Sequence, residues 1–277
     1  MALSDERLNE LAARLTDVPG VVGVLLGGSR ARNAHTPESD TDLGLYYRRP
    51  LDTGVLGDLA RDVGGAGARI TEPGEWGPWV DGGGWLTVDG SAVDWIYRDL
   101  DRVEAAWRDA EEGRYAFHAQ AGHPLGVPDF AYPGEVALGL ILADPEGLLA
   151  PLQRRTRVFP PALTERLVSG LWEADFLVGT ARKAVSRGDA TYVAGCLFRV
   201  AGVCAHALHG AAGRWLINEK GAVAAAAALP GAPPLFRERV HAAFAQVDGD
   251  PLHLMTAIDL AADLVLDTAD ACAMMAR

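Results

Sequence analysis

Cysteine is scarce in this chain, and that scarcity narrows its chemistry. Only Cys196, Cys204 and Cys272 occur in 277 residues. They form no CxxC pair and no histidines cluster beside them, which argues against a zinc site. All three lie in apolar, helix-patterned segments, so buried free thiols in a reducing cytosol are expected, and with them a cytoplasmic location. Positive charge is also in short supply: 25 Lys and Arg against 37 Asp and Glu leave a net charge of −12. A nucleic-acid groove needs a basic stripe, so nucleic acid is not an expected partner. An acidic surface suits a small cationic ligand, and equally suits plain solubility. No apolar run reads as long enough to span a bilayer, and Met1 to Glu10 lacks the basic-then-apolar pattern of a signal peptide, so no membrane partner is expected.

What is present is an ordinary globular composition, 49% apolar and 22% charged, long enough for two modest domains with real cores. Ser4-Asp5-Glu6-Arg7 offers a cap and an acidic first turn for a helix ending near Asp17. Val21 to Leu26 and Leu43 to Tyr47 are strand-like, and a helix beginning at Gly28 is cut short by Pro37. Arg61 to Ile70 links a helix to another strand, and the Gly-, Pro- and Trp-rich stretch from Glu72 to Gly84 reads as a loop. Trp85 to Val88 and Ala92 to Tyr97 flank Asp89-Gly90, which signals a hairpin. Arg98 to Asp101 opens a helix running to about Gly113. Tyr115 to Tyr132 is irregular and joins two domains. From Glu135 the pattern is almost entirely helical, with strong apolar stripes over Leu163 to Arg187, Tyr192 to Gly210 and Leu252 to Met275. The expectation is an α+β chain: a small mixed-sheet domain over residues 1–130, then an α-helical bundle over 131–277.

The chemistry concentrates early. Gly27-Gly28-Ser29-Arg30 follows the first apolar run, and Ser39-Asp40-Thr41-Asp42 opens the second. Alternate residues of a strand share a face, so Asp40 and Asp42 project together as a hard-cation site suited to Mg²⁺. The Gly-Gly-Ser turn opens a helix, whose N–H groups and dipole favour a phosphate. Asp94, in Ala92-Val93-Asp94-Trp95-Ile96-Tyr97, supplies a third carboxylate that can ligate a metal or take a proton from an attacking hydroxyl. Together these are the equipment for metal-assisted transfer from a nucleoside triphosphate. Taken singly, each piece is also explained by a turn, a solvated Asp pair or a lone strand Asp.

In their order and on their element types, these motifs resemble the nucleotidyltransferase superfamily of the DNA polymerase β type. The carboxyl-terminal half narrows the likeness. Gly188-Asp189-Ala190-Thr191-Tyr192, Leu197-Phe198-Arg199, Leu216-Ile217-Asn218-Glu219-Lys220-Gly221-Ala222-Val223 and Leu229-Pro230 resemble the helical domain of aminoglycoside nucleotidyltransferases of the streptomycin/spectinomycin adenylyltransferase type. The resemblance implies a polymerase β-like domain, a helical bundle, and substrates meeting in a cleft. It implies that Gly28, Ser29 and Arg30 hold the triphosphate of ATP, and that Asp40 and Asp42, with Asp94, hold two Mg²⁺ ions. Asp94 stands where that family has a glutamate that is the base. Lys220 contacts the terminal phosphates, the plain alternative being a surface lysine. Asp189 contacts the acceptor, the plain alternative being a helix cap. Glu135, Glu173 and Asp175 line the cleft or a solvated helix face, and Trp172 stacks on substrate or sits in the core. The implied reaction moves AMP from ATP to a hydroxyl of a small aminoglycoside-like antibiotic, a resistance activity. A protein or other natural-product acceptor, or a non-catalytic nucleotide sensor, remain as alternatives.

Overall fold

A computed structural model describes residues 3–31 and 40–275. The chain divides into two compact units, Met1–Asp109 with Tyr115–Val158, and Ala110–Arg114 with Phe159–Arg277.

The first unit begins with α1 (Asp5–Thr16), whose N-cap Ser4 accepts a hydrogen bond from the Arg7 amide. Such a cap is worth about 1 kcal/mol, and Ser4→Ala would remove it. Leu8, Leu11, Ala12 and Leu15 recur at helical spacing and are buried against the sheet. There follow β1 (Val21–Leu26), α2 (Gly28–Ala31), β2 (Thr41–Tyr47), α3 (Thr53–Gly64), β3 (Gly83–Val88), β4 (Ser91–Asp99), α4 (Leu100–Glu111), β5 (Phe117–Gln120), β6 (His123–Pro128), α5 (Ala131–Leu138), β7 (Leu140–Ala143) and α6 (Leu149–Thr156). The main sheet has the order β3-β4-β2-β1-β7, with β2 and β4 parallel and the other neighbours antiparallel. Alternate residues of the central strands, among them Leu43, Leu45, Val93 and Trp95, join α1 and α3 in one apolar core. The residues between them point to the other face.

The expected hairpin is present. Asp89 and Gly90 have φ of 51° and 77°, the two positive values that a type I′ turn requires, and Val88 pairs with Ser91 across it. Two elements differ from expectation. The stretch from Tyr115 to Tyr132 is not simply irregular, because β5 and β6 form an antiparallel ribbon. The apolar Leu140–Ala143 segment is a strand, β7, on the edge beside β1. Short apolar runs carry no period that separates strand from helix, and only the vacant sheet edge decides. Because β7 completes this sheet, the first unit extends to Val158, and the expected boundary at 130/131 moves accordingly.

The second unit holds α7 (Pro161–Ser169), α8 (Leu171–Ala184), a short 3₁₀ turn, α9 (Ala190–Ala211), α10 (Ala222–Ala227), α11 (Phe236–Ala245) and α12 (Pro251–Met275). The expected single helix from Leu163 to Arg187 is interrupted at Gly170. Contrary to the expectation that no run was long enough, α9 has the length and apolarity to cross a membrane. In its most apolar window 67% is buried, and α9 packs as the central helix against α7, α8, α10 and α12. Its His206 and His209 are both buried. Burial first, then neighbouring His209, pushes His206 down to about 3, so it packs as a neutral ring. His209 Nδ1–H donates to the Ala205 carbonyl at 2.8 Å. The three cysteines are buried free thiols, as expected. Burial raises Cys204 to about 12 and Cys272 to about 11, which makes both poor nucleophiles.

Candidate active site

The site is built on the face of the sheet opposite the α1/α3 core. In the parallel β2/β4 pair, Asp42 is the register partner of Asp94, so the two carboxylates stand side by side on neighbouring strands. Asp40 lies just ahead of β2 and is exposed. Burial, then the charge of Asp42, then that of Asp40, pushes Asp94 up to about 6. Every one of these influences opposes ionisation, so the cluster is poised to bind a proton or a cation. Among the described residues no three His, Cys, Asp or Glu side chains converge as a ready-made metal cage. The oxygen donors and the mutual repulsion of Asp40, Asp42 and Asp94 nevertheless fit a hard divalent cation, which is commonly shared between one or two carboxylates and substrate phosphates.

Because β1 runs antiparallel to β2, the end of β1 lies beside the start of β2. The Gly27 amide donates to the Asp42 carbonyl at 2.8 Å. Gly28 has φ of +60°, and a Cβ there would fall 1.8 Å from Asp42 Oδ2. Only glycine allows the turn to lie this close to the carboxylate. The glycine turn and the carboxylates of Asp42 and Asp94 thus lie together on neighbouring strands β1, β2 and β4.

Residues 8–77, which span β1, the glycine turn, Asp40 and Asp42, match a family model described as a nucleotidyltransferase domain. The matched stretch lies wholly within the first unit. The match supports a nucleotidyl-transferring enzyme, and the α+β arrangement of a small mixed sheet followed by helices agrees with it. Among solved structures, a nucleotidyltransferase-like protein from Exiguobacterium sibiricum 255-15 aligns with a TM-score of 0.44 and 13% identity, over 98% of this chain and 76% of that one. A comparison with curated proteins found no match.

Around this face, the other expected residues fall into different settings. Ser29 lies in the first turn of α2, and its side chain is outside the described residues, as are Ser39 and Pro37. Arg30, expected to help hold the triphosphate, donates instead to Thr41 Oγ1 at 2.9 Å and to the Leu3 carbonyl at 2.8 Å. It ties α2 to the start of β2. Glu135, expected on the acceptor, accepts from Arg98 Nε at 2.6 Å and Nη2 at 2.7 Å. Arg98 is buried, so its charge needs that counter-ion, and Glu135 is committed to it. Asp189 caps α9 by accepting from the Tyr192 amide at 3.1 Å, the plain alternative to substrate contact. Glu173 pairs with Arg199 on the neighbouring helix. Trp172, expected in the core or on substrate, is exposed beside Phe176. Lys220 is exposed in the second unit, where its amide donates to Asn218 Oδ1 at 2.9 Å and Gly221 caps α10.

Sequence reading passes over Trp85. It is the register partner of Asp94 on β3, which puts its indole on the carboxylate face. The signal was available: a two-residue Asp89-Gly90 turn sets the hairpin register, and counting back from it pairs Trp85 with Asp94.

Proposed function

We propose that this protein transfers a nucleoside monophosphate, AMP from ATP, to a hydroxyl of a small cationic acceptor of the aminoglycoside type. The observation that carries the reading is the facing pair Asp42 and Asp94 beside the Gly27-Gly28 turn. The turn would seat the β- and γ-phosphates, with Ser29 in its first helical turn. Asp40 and Asp42, with Asp94, would hold Mg²⁺, two ions by the family resemblance, which when bound supply charge neutralisation and a polarised phosphate. Asp94, with its affinity for a proton already raised, would take the proton of the acceptor hydroxyl. The acceptor oxygen then bonds to the α-phosphorus, the bond from that phosphorus to the bridging oxygen breaks, and pyrophosphate leaves on the opposite side. The acidic balance of −12 is compatible with a cationic acceptor. A reducing, cytoplasmic setting goes with the three buried thiols.

The test is incubation with each of the four nucleoside triphosphates, Mg²⁺ and a panel of aminoglycosides, read by mass spectrometry of the acceptor and by pyrophosphate release. An acceptor heavier by one AMP, formed only with Mg²⁺, is expected. Nucleotide binding without any transfer would support a sensor instead, and transfer only to protein would replace the acceptor class.

A further inference from the structure

Trp85 is a large apolar group on the carboxylate face, and 69% of it is exposed. Its ring stacks on Trp76 with centroids 4.4 Å apart and planes 19° apart. Trp76 comes from the loop before β3 and is half-buried, so one indole is fixed and the other is presented. An exposed, oriented indole does little for the core; what it offers is a flat face to a ligand.

The strand order says which ligand. Across the sheet run the glycine turn after β1, then Asp42 on β2, Asp94 on β4 and Trp85 on β3. Neighbouring strands are about 4.8 Å apart, so each of these groups is one such step from the next. In phosphoryl transfer the attacking and leaving oxygens lie roughly in line. With the leaving pyrophosphate at the glycine turn, the attacking hydroxyl enters from the far side of Asp42, over Asp94 and toward Trp85. A π face beside Asp94, with Asp42 on the next strand, attracts a cation. Thr87 and Ala92, the next exposed pair along the hairpin, leave that side of the indole uncovered.

Resting on the transfer reading above, we propose that Trp85, backed by Trp76, is the platform that holds the acceptor, an amine- or guanidine-bearing hydroxyl compound stacked beside Asp94. It is a specificity-determining residue of the acceptor side and takes no part in holding ATP.

The experiment is calorimetric titration of the full chain, as parent, Trp85→Ala and Trp85→Phe, with two ligands taken separately. One is ATP with Mg²⁺ and no acceptor; the other is streptomycin or spectinomycin with no nucleotide. The exposure of Trp85 lets both variants fold, which far-ultraviolet circular dichroism checks. Expected is an antibiotic affinity at least about tenfold weaker in Trp85→Ala, within about threefold of the parent in Trp85→Phe, and one ATP affinity for all three. Equal antibiotic binding by Trp85→Ala and the parent, or no binding of either antibiotic by the parent, overturns the platform while ATP binding leaves the transfer reading standing. A matching loss of ATP affinity in Trp85→Ala would place the nucleobase on the indole and overturn it as well. Failure of the parent to bind ATP would instead bring down the transfer reading, and the platform with it.

Discussion

One face of one strand pair carries two opposite solutions to buried charge. At the start of β2, Asp42 faces Asp94 of β4. Four residues further along, Tyr46 is the partner of Arg98, and Arg98 is answered by both oxygens of Glu135 while its guanidinium lies over the Tyr132 ring at 4.7 Å. Burial works against the Arg98 charge, and Glu135 with the neighbouring tyrosines more than offsets it, so the guanidinium stays protonated. At the Asp94 end every influence opposes the charge. An acid matched to a base is part of the fold. An acid set against acids is unstable alone and waits for a proton or a cation, which is what distinguishes a site from a structural ion pair.

The comparison breaks most completely at Asp42. Asp42→Asn keeps the volume and removes one charge, and should lower transfer by about 10³-fold or more, since a metal-held transition state is worth several kcal/mol. Thermal unfolding should stay cooperative, and near-normal turnover would show that the facing pair is not the metal end. Asp94→Ala should slow single-turnover chemistry by roughly 10²–10⁴-fold while leaving ATP affinity closer to the parent than in Asp42→Asn. An unchanged rate would move the base elsewhere.

The structural end should respond in stability instead. Glu135→Gln leaves the Arg98 charge buried without its partner, and urea unfolding should show a loss of about 3 kcal/mol, the lower end for a broken buried pair because Glu135 is itself partly open to solvent. ATP affinity should not change; a selective loss of acceptor binding would return Glu135 to the acceptor site.

The smallest effect is a stability one. The folded chain holds the Asp94 proton up to about 6, whereas the unfolded chain releases it near 3.8. Between those values the folded state binds more protons, so the contribution of Asp94 to stability falls as pH rises through that window. Asp94→Asn should therefore melt higher than the parent at pH 8 without divalent cation, by about 1 kcal/mol after solvent screening, or about 2–4 °C, and at the same temperature at pH 3.5. Added Mg²⁺ at pH 8 should raise the parent more than the variant.

Much of this was written locally. The Asp89-Gly90 turn, the cap at Ser4 and the apolar stripes of α9 and α12 specify their elements through neighbours a few residues away, and they could be read without a structure. The order of the glycine turn and the three carboxylates was legible for the same reason. β7, the β5/β6 ribbon and the break at Gly170 were not, since each depends on which edge or helix packs alongside. The fates of Arg30, Glu135 and Asp189 were equally hidden: a charged side chain looks the same in sequence whether it waits for a ligand or already has a partner. Sequence alone determined the chemical inventory and the local elements, because those follow from covalent spacing and short-range hydrogen bonds. Only the tertiary structure decided which charges are answered, placing Glu135 on Arg98, Asp42 against Asp94 and Trp85 beside them, because pairing across strands joins residues that the chain keeps far apart.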